Sequence, residues 1–175
     1  MPNPWRAFLV DVDRRLPRSI EIHCLDGFVA ALYYDLPRPT NDLDYIEVVP
    51  HDAMATLQEI AGVESPLAEK HRVHVQHVGV ASLPESYAER LTEPFPRRFE
   101  RLRLFALDAH DLALSKLTRN SPIDRDDVAQ LARAVPLDAK LLRARYRREL
   151  RPIIIGDPER HDRTLAMWIA AYFQS

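Results

Sequence analysis

The spacing of apolar residues changes character near residue 109, and that change limits the folds open to this chain. Before it, blocks of strict alternation are interleaved with helical blocks. Ser19–Leu25 places Ile20, Ile22 and Cys24 on one side, Arg72–Ala81 alternates along its length, and Asp42–Val49 and Leu102–Leu107 are rich in β-formers. Trp5, Phe8, Leu9, Val12 and Leu16 follow helical spacing, Gly27–Tyr34 predicts a short helix, and His51–Ala61 predicts another after Pro50. After residue 109 only helical periodicity remains, over 109–119, 122–135, 138–149 and 158–173. The expected fold class is α+β, with a small mixed sheet of four to five strands and a helical C-terminal half. The expected parts are an α/β core over 1–108 and a helical part over 109–175 packed on it as one compact unit.

Composition narrows the setting. Apolar residues make up 46% and charged residues 29%, which suits a packed globular chain. No apolar run reaches the length of a membrane span, and the charged N-terminus does not resemble a signal peptide. Cys24 is the only cysteine, so no disulfide can form within the chain and a cysteine zinc site is not expected. The cytoplasm is the expected location. Charge is distributed unevenly: residues 1–60 hold ten acids and five Lys/Arg, whereas 97–151 hold fourteen Lys/Arg and eight acids. That asymmetry suits a metal-dependent site facing a polyanion, or simply an uneven surface.

The stretch LDGFVAALYYDLPRPTNDLDYIEV, residues 25–48, carries the chemistry. Asp42 and Asp44 are spaced i, i+2 on an expected strand, so they share a face. Two carboxylates so close raise each other's pKa unless a cation lies between them. Mg²⁺, which takes carboxylate and phosphate oxygens, fits such a pair. Gly27 opens a helix whose first N–H groups favour an anion, and Arg38 and Thr40 add donors ahead of the aspartates.

These residues resemble the nucleotidyltransferase fold, in the branch with the pattern h-G-G-x-A-x(n)-R-x-T-x-D-h-D that includes abortive-infection and type IV toxin–antitoxin toxins. The match is Asp26, Gly27, Phe28, Val29 and Ala30, then Arg38, Thr40, Asp42 and Asp44. Asp26 stands where the pattern has its first Gly. The resemblance implies transfer of a nucleotide from an NTP to an acceptor such as tRNA, another RNA or a protein, with Mg²⁺ held by Asp42 and Asp44. It also implies nucleotide contacts from Gly27, Arg38 and Thr40, a toxin role, and a cognate antitoxin as partner. The segment 108–135 resembles the second block of that family, D-L-x-x-x-K-L followed by (K/R)-D-x-x-D, which adds Lys116, Asp124 and Asp127 to the catalytic set and Lys116 to the nucleotide contacts.

Read without the family, Lys116 falls inside the apolar arc of its helix. It either snorkels or delivers its ammonium to an interior anion. Asp124 and Asp127 face inward at the start of the next helix while Asp126 faces water, and Ser121 with Asp124 forms a capping box. His71, His74 and His77 are spaced for a strand on which His71 and His77 share a face and His74 lies opposite, which argues against a three-histidine metal site. No acid occupies strand 72–81, where many nucleotidyltransferases carry a third carboxylate. Arg143, Arg147 and Arg151 share one helical face and are candidates for contact with a phosphate backbone, a solvated face or an acidic partner. The alternative to an enzyme is a catalytically inactive module of the same fold that binds a partner protein or RNA.

Overall fold

The computed structural model describes residues 1–173. They divide into two units, each with its own core. The first comprises residues 1–33, 37–80 and 92–106; the second comprises 34–36, 81–91 and 107 onward.

The first unit is built on a four-stranded mixed sheet. Its strands are β1 (Ile20–Cys24), β2 (Asp42–Val49), β3 (His74–His77) and β4 (Leu102–Ala106), in the order β3-β2-β1-β4. β1 runs antiparallel to β2 and parallel to β4, and β2 runs parallel to β3. Alternation decides what is buried. Ile20, Ile22 and Cys24, Leu102, Leu104 and Ala106, and Leu43, Tyr45 and Val75 are nearly inaccessible. The residues between them, Glu21, His23, Asp42, Asp44, Gln76, Arg103 and Phe105, remain half-buried or exposed.

Three helices pack against one another in this unit: α1 (Trp5–Arg15), α3 (Met54–Ala61) and α4 (Pro66–His71). α1 buries Trp5, Phe8, Leu9 and Val12, at the i, i+3, i+4, i+7 spacing of one helical face. From α3, Gln58 Nε2 donates to the Tyr45 hydroxyl at 2.6 Å. α1 also fixes the start of β4, because the Asp13 carboxylate accepts the backbone N–H groups of Glu100, Arg101 and Leu102 at 3.1, 2.7 and 2.8 Å. α2 (Asp26–Leu32) follows β1 directly.

Two elements differ from the sequence expectation. The strand expected over Arg72–Ala81 is only four residues long. β3 is an edge strand that pairs with Asp42–Tyr45 alone, and one further bond, Val78 N–H to Tyr45 O at 2.8 Å, ends the ladder. Beyond it Gly79 has no side chain to pack, and Val80 is 80% exposed despite its place in the alternation. The second difference is α4, which was not expected. Ser65 Oγ accepts the Ala68 N–H, Pro66 occupies the first turn, and Arg72 ends the helix with φ 62°. His71 therefore belongs to a helix, 2.8 Å from Asp11 Oδ2 and edge-on to Phe8, and does not share a strand face with His77.

The second unit is helical: α5 (Ala109–Ser115), α6 (Pro122–Ala134), α7 (Ala139–Arg145) and α8 (Pro158–Tyr172). Each starts at a side-chain cap, supplied in turn by Asp108, Ser121, Asp138 and Asp157. Leu112, Leu114, Leu117, Val128, Leu131, Leu142, Tyr146, Leu150, Leu165 and Trp168 form the core. The helix expected over 109–119 closes at Ser115, and Lys116 and Leu117 continue in tighter i→i+3 bonding. The helix expected over 138–149 changes into a π-helical turn at Tyr146–Leu150.

An ion network ties this unit together. Asp111, fully buried, accepts Arg90 Nε at 2.8 Å and Arg145 Nη1 at 3.0 Å; Arg90 also reaches Glu149 at 2.7 Å, and Arg145 reaches Asp108. Burial alone would raise the Asp108 pKa, but His110 and the Arg145 guanidinium outweigh it and hold the carboxyl well below its ordinary range. Among the described residues no helix is long and apolar enough to cross a membrane.

Candidate active site

The first unit gathers the motif residues around the start of β2. Asp42 and Asp44 lie on one face of that strand, half-buried, while Leu43 and Tyr45 between them turn into the core. On β3, His74 and Gln76 stand in register with Asp42 and Asp44, so both border the acidic pair. The Leu25 N–H donates to Asp44 O at 3.0 Å and holds the beginning of α2 beside the second aspartate.

Thr40 orients the first aspartate. Its hydroxyl donates to Asp42 Oδ1 at 2.7 Å and lies 3.1 Å from the Asp42 backbone oxygen. Gly27 makes this arrangement possible. A Cβ on Gly27 would stand 3.0 Å from Thr40 Oγ1 and 3.4 Å from Arg38 Cζ, so the space a side chain would need is filled by the threonine hydroxyl and the guanidinium. Gly27, Arg38, Thr40 and Asp42 are therefore one packed cluster. Asp26, at the position where the pattern has Gly, has φ 53°, in the left-handed region that Gly adopts most easily and Asp tolerates better than most residues. Arg38 Nη1 lies 3.4 Å from its Oδ1.

The donor set suits a small hard cation. Two carboxylates on one strand face match the way Mg²⁺ is usually held, with phosphate oxygens and water as its other ligands. Among the described residues no group of three or more His, Cys, Asp or Glu side chains converges in a way that could hold a metal ion, and the two aspartates stand as a pair. Cys24 ends β1 close by, but burial pushes its thiol pKa far up, so it supplies no thiolate nucleophile.

The second unit brings the other three site residues together. Lys116 is 2% exposed. Its Nζ lies 2.8 Å from Asp127 Oδ2 and 3.8 Å from Asp124 Oδ1. It therefore points inward to acids and does not snorkel. Asp124 completes the capping box, accepting the Ser121 N–H at 2.9 Å while its own N–H meets Ser121 Oγ at 3.2 Å. Burial pushes the Asp124 carboxyl upward, yet the Arg119 guanidinium and Ser121 outweigh it and the net shift is downward. Arg119, which grips Asp124 at 2.8 and 2.6 Å, was not singled out from the sequence. The available signal was its place one helical turn beyond Lys116 and five residues before Asp124.

Arg143, Arg147 and Arg151 all line one groove of about 240 Å³, with Tyr146, Asp162, Leu165 and Ala166. They are not equivalent. Arg151 is held by Asp162 through contacts of 2.9 to 3.2 Å, and the Tyr146 hydroxyl donates to the same carboxylate at 2.7 Å.

No curated protein and no solved structure matches the chain. Residues 25–174 match the family model described as "Nucleotidyltransferase of unknown function (DUF6036)". That span begins just before the Gly27 cluster and takes in the acidic pair, Lys116 and the arginine groove, and on its extent the chain belongs to this nucleotidyltransferase family.

Proposed function

We propose that the protein is a Mg²⁺-dependent nucleotidyltransferase that moves a nucleotide from an NTP to a macromolecular acceptor. The observation that carries this reading is the pairing of Asp42 and Asp44 on one face of β2, with Thr40 holding the first carboxylate. Asp42 and Asp44 hold the metal. When bound, Mg²⁺ supplies countercharge to the phosphates and favours in-line attack at the α-phosphorus. Arg38 donates to the phosphates, and Thr40 and Gly27 keep the donors and the acidic pair in fixed relation. Within the second unit, the Lys116 ammonium is held by Asp127 and Asp124.

RNA is the acceptor class favoured by the groove, because Arg143 and Arg147 are exposed along it while Arg151 is engaged by Asp162. A protein acceptor is the other possibility under the same chemistry. The toxin role and the antitoxin partner rest on the resemblance, and the product of an adjacent gene tests them: co-expression should suppress growth arrest caused by this chain alone.

Calorimetric titration of Mg²⁺ and each NTP tests the catalytic reading. At least one NTP should bind in the presence of Mg²⁺, and Asp44→Asn should lose the metal-dependent part of that binding. Equal binding by the variant would remove the acidic pair from the account. No binding of any NTP by the wild type would leave a partner-binding module of the same fold.

A further inference from the structure

The chain adopts an unfavourable conformation at Asp26. A non-Gly residue at φ 53° is held there by its surroundings, and such residues gather at functional sites. A glycine would fit this backbone without strain. The aspartate brings a carboxylate to the one place where it meets Arg38, Nη1 to Oδ1 at 3.4 Å, with the two side chains 25% and 16% exposed. The Arg38 guanidinium carbon lies 3.4 Å from the missing Cβ of Gly27, beside the Thr40 hydroxyl that orients Asp42. Arg38, the cation assigned above to the substrate phosphates, is thus already matched to an internal anion.

We propose that Asp26 is a positioning residue that controls how tightly the site holds polyphosphate. It keeps the Arg38 guanidinium over Gly27 when the site is empty and yields it to substrate phosphates. The proposal rests on the NTP reading above. A partly exposed guanidinium–carboxylate pair at 3.4 Å has little net strength. The planar fork of Arg bonds phosphate as readily as carboxylate, and a polyphosphate offers it several charged oxygens. The exchange is therefore downhill, but it is reduced by the contact given up and by the negative charge left behind. Asp26 touches no reacting atom, so its effect falls on substrate affinity and leaves the chemical step alone.

The test is calorimetric titration of inorganic tripolyphosphate with Mg²⁺ into the full-length wild type, Asp26→Asn, Asp26→Gly, Arg38→Gln and the Asp26→Asn/Arg38→Gln double variant. Asp26→Asn and Asp26→Gly should both bind about three- to tenfold more tightly than the wild type. In the Arg38→Gln background the gain should be clearly smaller, because only the repulsion by the Asp26 charge remains once the guanidinium is gone. Unchanged or weaker binding by Asp26→Asn overturns the proposal, as does an equal gain without Arg38. Tighter binding by Asp26→Gly alone also overturns it, because backbone strain would then be the cause. If the wild type binds neither tripolyphosphate nor any NTP, the underlying reading falls too. If the wild type binds and Asp26→Asn matches it, only the role of Asp26 falls.

Discussion

Replacing Lys116 by Met should destabilise the second unit strongly, even though the change keeps most of the side-chain length. Lys116 is 2% exposed and its ammonium lies 2.8 Å from Asp127, itself 4% exposed. Met fills the same volume and removes the charge. Asp124 keeps the Arg119 fork and the Ser121 N–H, whereas Asp127 loses its ammonium contact at 2.8 Å. Removing one member of a buried ion pair costs about 3–5 kcal/mol, chiefly because the other charge is left uncompensated. For a chain of this size each kcal/mol shifts Tm by about 2–4 °C, so the expected fall is on the order of 10 °C. The assay is urea and thermal unfolding followed through Trp168, a core residue of the same unit. Lys116→Met/Asp127→Leu should recover most of the loss, since both charges are then gone. A Lys116→Met protein as stable as the wild type, or a double variant no better than the single one, would refute the buried pair. The resemblance implies a nucleotide contact from Lys116, and weaker NTP binding by this variant would be its sign. The pairing with Asp127 means that binding must be compared at equal folded fraction.

Three further predictions concern other parts of the chain. Gly27→Ala should fold but push Thr40 and Arg38 aside, weakening Mg·NTP binding by about tenfold, a loss of about 1.4 kcal/mol, with calorimetry as the check. Asp111→Ala should cost about 3–5 kcal/mol in chemical unfolding, because Arg90 and Arg145 lose the buried carboxylate between them. The Arg151 fork and the Tyr146 hydroxyl hold the Asp162 carboxyl down to about 2. Its folded pKa is below the unfolded value, so its contribution is complete above about pH 4 and is lost as pH falls toward 2. Urea midpoints of Asp162→Asn should therefore fall less steeply than those of the wild type across that window, and parallel curves would contradict the pairing.

What was legible in the sequence was local. The alternation of β2 set Asp42 and Asp44 on one face and Leu43 and Tyr45 on the other, as observed. The helical wheel of α6 placed Asp124 and Asp127 inward and Asp126 outward, and the capping box was readable from Ser121 and Asp124. What was not legible depended on distant partners or on the edge of the sheet. The Arg72–Ala81 run alternates well, but nothing in it reveals that β2 pairs with only four of its residues. Arg90 lies 21 residues from Asp111 and 59 from Glu149, separations that leave no periodic trace. The start signals of α4, Ser65 and Pro66, lie in the sequence ahead of the alternating run and place His71 on a helix that ends at Arg72. The left-handed backbone of Asp26 was hidden because only a solved arrangement shows φ.

The most direct test of the catalytic account is a transfer assay with α-labelled NTPs, Mg²⁺, total RNA and total protein as acceptor pools, comparing wild type with Asp44→Asn. Label should enter an acceptor only with Mg²⁺ and only with the wild type. The variant should melt at the same temperature or higher, since a neighbouring like charge has been removed. Equal labelling by Asp44→Asn, or labelling by neither protein in either pool, would contradict a catalytic acidic pair at the start of β2.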